Sequence, residues 1–227
     1  ASANTHAIQM GRAAIGSDHA TNANTYCLNF NGTNQYLMHN TSNFRGSDDR
    51  GTIFAWLYFD SVSSGFQVIF GKADTADTGE YWILQSASDG KIWIDDNADG
   101  TSNEVRTTAD VLSINQWNSV AVVSTGSAYS FYLNGSAITD ITGTNDGGWI
   151  NGMTDSDNIT IGALKYTSDV SEFDGKMMQV AYFGSDGTGD GTNGVLTAAQ
   201  IAALHSAGKE HDLTTATGVY TAAEIDD

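Results

Sequence analysis

Short runs of β-branched and aromatic residues recur along the chain, and most are cut off by Gly, Asn or Asp. Runs of this kind read as strands, because such side chains pack well on a pleated surface and the interrupting residues favour turns. They fall at 26–30, 36–39, 51–60, 66–70, 80–86, 91–95, 104–108, 118–124, 128–133, 159–163 and 176–183. The run "GTIFAWLYFD" at 51–60 is almost continuously apolar, as a central strand covered on both faces would be. In 128–133, Tyr129, Phe131 and Leu133 share one face, with Ser130 and Tyr132 on the other. Asn31-Gly32 and Asn134-Gly135 predict hairpins, since both residue types tolerate positive φ. Ten or more strands joined in this way predict an all-β fold of two antiparallel sheets packed face to face.

One helix interrupts the pattern. In "TAAQIAALHSAG", Thr197 is placed to cap the first turn, Gln200 completes a capping box and Gly208 ends the element. Ala198, Ile201 and Leu204 form an apolar stripe for docking on the sandwich. One domain over 25–208 is expected, with an N-terminal arm (1–24) and a polar tail (209–227). Ile8, Met10 and Ile15 could dock the arm, and Val219, Tyr220 and Ile225 the tail.

Composition narrows the function. The formal net charge is -18, from 27 acids against nine Lys and Arg. Such a chain repels polyanions, which argues against nucleic acid and anionic membrane as partners. Most of the acids are Asp, a turn-former suited to a strand-and-loop protein. Cys27 is the only cysteine, which excludes an internal disulfide and zinc sites built on paired thiolates. The start, "ASANTHAIQMGRAAIGSD", has no basic region followed by an apolar stretch, so no signal peptide is expected there. No run approaches the length of a membrane helix.

In order, "YCLNFNGTNQYLMH", "GTIFAWLYFD", "NQWNSVAVVSTGSAYSFYLNGSAI", "ITIGAL", "FDGKMMQVAYF" and "LTAAQIAALHSAG" resemble the laminin-G-like, or concanavalin A-like, jelly-roll superfamily. The resemblance runs from Tyr26 to Gly208. It implies a two-sheet antiparallel jelly-roll β-sandwich with a closing helix, and a role in surface recognition, often of glycans. Trp56, Trp82, Trp93 and Trp117 are expected in the core or on the sheets. Trp149 stands in the polar, glycine-rich "NDGGWINGMTDSDN" and is the aromatic expected at the surface. With Asn151, Asp155 and Tyr166 it makes the candidate ligand-binding set.

Calcium, which takes six to eight oxygen ligands, is the cofactor to test. "DDNADG" supplies Asp95, Asn97 and Asp99 ahead of Gly100, the front half of an EF-hand-like loop. The far end fails, because Arg106 stands where a bidentate Glu should be and Glu104 is out of register. A solvated strand-ending turn is the competing reading. A second partial pattern places Asp186, Thr188 and Asp190 before Gly191, and there a surface loop is favoured. The resemblance implies a third site, near Asn31 at the opening turn and a late-strand carboxylate. Met178 and Gln179 stand where that carboxylate pattern is expected, leaving Asp174 to contribute by another geometry.

Enzyme chemistry has little to rest on. The five Glu (Glu80, Glu104, Glu172, Glu210 and Glu224) form no closely spaced acid cluster of the kind that flanks a glycosidic bond. Neither a nucleophile elbow nor a phosphate-binding loop occurs. The chain is therefore expected to be a non-enzymatic module binding glycan or a surface protein. The alternative is a structural virion protein, a capsid decoration, knob or fibre component. It would form homo-oligomers or join capsid and tail proteins through its terminal arms. The Asn/Gly/Ser/Thr-rich composition is similar to that of phage surface proteins. Both readings place it on a virion or an extracellular surface.

Overall fold

The structure, a computed structural model, describes residues 27–62, 65–98, 100–184 and 194–210. The expected arm, the 186–190 pattern and the tail from residue 211 lie outside them.

Two antiparallel sheets enclose the core. The first combines β1 (Leu28–Asn31), β3 (Gly51–Phe59), β8 (Trp117–Ser124), β9 (Tyr129–Leu133), β10 (Ser136–Ile138) and β15 (Asp174–Gly184), in the spatial order β1-β15-β3-β8-β9-β10. The second combines β2 (Leu37–Asn40), β4 (Gln67–Ala73), β5 (Tyr81–Ser86), β6 (Ile92–Ala98), β7 (Thr101–Thr107), β11 (Ile141–Gly143) and β12 (Asn158–Ile161), in the order β11-β7-β6-β5-β4-β12-β2. A small ribbon of β13 (Leu164–Lys165) and β14 (Asp169–Val170) stands apart. Inward side chains of both sheets, among them Leu57, Phe59, Phe70, Trp82, Ile94, Val122 and Phe131, form the main core. The expected all-β, two-sheet sandwich is the observed fold.

The two Asn-Gly steps do different work. Asn134 and Gly135 take φ of 49° and 77° and close a tight hairpin in which Leu133 faces Ser136. At Asn31-Gly32 the expected hairpin is not made, because β1 pairs with β15 and β2 with β12, in different sheets. Asn31 Oδ1 instead accepts the backbone N–H groups of Thr33 and Asn34, and the Gly32 N–H donates to Phe173 O. The turn is thereby stitched to the β15 side, and the chain crosses between sheets.

The helix α1 (Ala198–Ala207) carries the expected box: Thr197 Oγ1 accepts from the Gln200 N–H, and Gln200 Oε1 accepts from the Thr197 N–H. Ile201 and Leu204 pack on Phe54, Trp56, Ala121 and Val123, sealing much of the outer face of the six-stranded sheet. His205 stacks on Trp56 at 5.2 Å and its Nδ1 lies 2.9 Å from Ser119 Oγ. No helix among the described residues is long and apolar enough to cross a membrane.

Candidate functional site

Among the described residues, the seven-stranded sheet has no helix over its outer face. Along β6 the side chains alternate. Ile92 and Ile94 enter the core, while Trp93, Asp95 and Asn97 point outward and are half-buried. Registry sets their neighbours: Trp93 lies between Gln85 of β5 and Arg106 of β7, Asp95 between Ile83 and Glu104, and Asn97 between Tyr81 and Ser102. At the end of this strand pair Ala98 faces Thr101.

On the β4–β5 half, the ribbon β13–β14 folds over this face. Leu164 joins Val68, Ala73 and Ile83 in a small apolar cluster, with Tyr81, Tyr166 and Val170 against it. Tyr166 stacks on Tyr81 at 6.1 Å. The β6–β7 half is left polar and aromatic, with Ser102 and Glu104 exposed. The edge of Phe66, itself 42% exposed, meets Trp93 at 5.1 Å, and the Arg106 guanidinium lies 4.2 Å from the Trp93 ring centroid. Glu104 is 3.5 Å from Arg106.

Asp95 accepts hydrogen bonds from Ser102 Oγ (3.1 Å) and Tyr81 Oη (3.2 Å). Burial raises its pKa against these two bonds, which favour the carboxylate, and the Glu104 charge adds to the rise. Tyr81 is pushed up to about 12, by burial first and by the Asp95 charge second, so it remains a donor. Two buried polar atoms in this strip have no partner among the described residues: Nε1 of Trp93 and Oδ1 of Asn97. An unmet donor and an unmet acceptor on one strand face are what hydroxyl-rich ligands can satisfy.

The four residues expected to bind ligand do not come together. Trp149 is 2% exposed, not a surface aromatic. Its backbone is extended, it precedes the one-turn helix Ile150–Gly152, and its ring plugs the space between the sheets. There it donates from Nε1 to Tyr182 Oη at 2.9 Å and meets Trp82 edge-on at 5.0 Å. Polar loop residues around an indole do not reveal which way it points, and here burial of a large ring decides. Asn151 is half-buried and Asp155 exposed. Tyr166 belongs to the other side of the sheet, since it packs on outward-facing Tyr81 while Trp149 packs on inward-facing Trp82. Arg106, Glu104 and Ser102, gathered here beside Trp93, were readable only through strand parity and the pairing of β6 with β7. Tyr81 was readable only through the pairing of β5 with β6, and Phe66, ahead of β4, had no such signal.

The EF-hand-like loop is likewise not a loop. Asp95 and Asn97 stand in a paired strand, the segment from Thr101 is the next strand, and Asp99 lies outside the described residues. Among the described residues no three acidic, His or Cys side chains converge as a metal shell. Asn31 and Asp174 face each other across β1 and β15, but the Asn31 side-chain oxygen is used within its own turn. Met178 and Gln179 fall at a bulge in the β15–β3 pairing, where Gln179 takes φ of 50°.

This architecture, an antiparallel jelly roll with one polar-aromatic sheet face, is that of lectin-like sandwiches. The chain belongs to the concanavalin A-like lectin/glucanases superfamily, whose family model matches residues 31–202. Among solved structures, it is similar to the Ruminococcus gnavus IT-sialidase CBM40 bound to α2,3-sialyllactose (TM-score 0.60, 15% identity, 79% of this chain and 98% of that one). It is also similar to the NanB sialidase of Streptococcus pneumoniae (TM-score 0.58, 13% identity, 78% of this chain and 27% of that one). A SAP-like pentraxin from Limulus polyphemus matches as well (TM-score 0.54, 15% identity, 79% and 81%). No curated protein sequence matches the chain.

Proposed function

We propose that the protein is a non-catalytic carbohydrate-binding module whose glycan seat is the outer face of the seven-stranded sheet over β6 and β7. The observation that carries this reading is the outward row Trp93, Asp95 and Asn97, with its unmet Nε1 and Oδ1, beside Arg106 and Phe66. Aromatic rings shield apolar sugar faces from water while amide, carboxylate and guanidinium groups take the hydroxyls. The similar CBM40 module, bound to a sialylated lactose, supports the same class of ligand.

Arg106 is the group that would select an acidic sugar. It rests over Trp93 and beside Glu104, with 38% of its side chain exposed. A cation–π contact at such a site is worth about 1 kcal/mol, less than the ~1.5–3 kcal/mol of a hydrogen bond to a charged group. A ligand carboxylate would therefore draw the guanidinium away from the indole.

Calorimetric titration with α2,3-sialyllactose and lactose tests the reading. Trp93→Ala should weaken glycan binding by about tenfold or more, and Arg106→Ala should remove the preference for the acidic sugar. Both variants should unfold at nearly the wild-type temperature. Unchanged affinity in both would move the seat elsewhere on the molecule.

A further inference from the structure

Lys72 is 0% exposed, on the inward side of β4, facing Trp82 across β5 and Ile159 across β12. Its Nζ donates to Ile150 O at 2.8 Å and to the side-chain oxygen of Asn43 at 3.1 Å. Asn43, in the segment after β2, takes φ of 47° and donates its N–H to Ser156 O at 2.7 Å. Its carboxamide lies flat against Gly46, so close that no Cβ could stand there. The amide is thus held between a glycine and a buried amine.

Two buried carboxyl groups, Glu80 and Asp48, act on the same amine. Burial brings Lys72 down to about 8, against the pull of Glu80 and then Asp48. At pH 7 roughly a tenth of the molecules would carry the free amine, which is nucleophilic. Asp48 is engaged by Arg45, whose Nε is 2.7 Å from Oδ2, and also accepts from Tyr182 Oη. Glu80 Oε1 accepts from the Asp155 N–H at 3.3 Å.

We propose that Lys72 and Asn43 join in an intramolecular isopeptide bond. The Nζ lone pair adds to Cγ of Asn43, Glu80 passes the proton lost by Nζ to the amide nitrogen, and the C–Nδ2 bond breaks. One ammonia leaves and nothing is oxidised or reduced. The bond would fix the segment after exposed strand β2 to a central strand, in a chain whose single cysteine allows no internal disulfide.

Intact-mass spectrometry of the purified full chain tests this. The wild type should be lighter than its sequence by the mass of one ammonia, and proteolysis should yield a branched peptide joining Asn43 to Lys72. Lys72→Met and Asn43→Ala should both return to their sequence masses, and Glu80→Gln should accumulate unreacted chain. Asn43 sits on the surface, so its variant keeps a folded control. A wild type that retains its full mass after long incubation at about pH 9, where the amine is neutral, overturns the proposal. So does an ammonia loss that persists in Lys72→Met, since a succinimide at an asparagine has the same mass.

Discussion

Asp96 faces inward from the strand whose other side carries Asp95, and it is 6% exposed. Burial pushes it up to about 6, with Asp146 and Asp95 adding to the rise and a 3.4 Å hydrogen bond from Asn103 opposing it. The folded value lies above the unfolded one, so between about pH 4 and 6 the native state holds a proton that the unfolded chain has lost. Stability then falls as pH rises through that window and stays lower above it. Asp96→Asn should therefore be about 1 kcal/mol more stable than wild type at pH 7, an advantage that vanishes below about pH 4. Urea denaturation at the two pH values measures both. At this scale the sequence revealed little of the candidate site. Asp95 and Asp96 are adjacent and chemically identical, and only strand parity separates a surface ligand group from a buried acid. Trp149 fails for the same reason in reverse: its polar neighbours suggested exposure, whereas its ring lies against Trp82 and Tyr182.

Among the elements, those with local determinants were legible. Helix α1 follows from its own residues, because cap, box and apolar stripe all lie within one short segment. Removing the cap should show it: Thr197→Ala should cost about 1 kcal/mol and lower the urea midpoint without changing the slope. Strands β3 and β8 are equally plain, being long and rich in β-branched and aromatic residues, and the short β9 is marked by its aromatics and the Asn-Gly turn after it. The three-residue strand β11 and the two-residue strands β13 and β14 were not foreseen, since runs so short carry no periodicity, and β10 is read only from the turn before it. Pairing was readable where a two-residue turn dictates it, as between β9 and β10. It was hidden at Asn31-Gly32, where a hydrogen bond to Phe173, far along the chain, decides which sheet the next strand joins.

For the molecule as a whole, the charge of -18 is a standing repulsion that the fold must outweigh. Raising salt from a few millimolar to physiological strength should screen it and raise the unfolding temperature, by about 2–4 °C for each kcal/mol recovered. Scanning calorimetry at the two salt concentrations is sufficient, and a falling temperature would mean that local ion pairs such as Arg45–Asp48 outweigh the net repulsion. Among the described residues the two outer faces are unequal, one largely covered by α1 and the other open over β6 and β7. They stand on opposite sides of a core about 10 Å thick. Free-energy changes on the two faces should then sum. A double variant combining Thr197→Ala with Trp93→Ala should lose the cap's stability and the glycan's affinity as two separate quantities, without interaction between them.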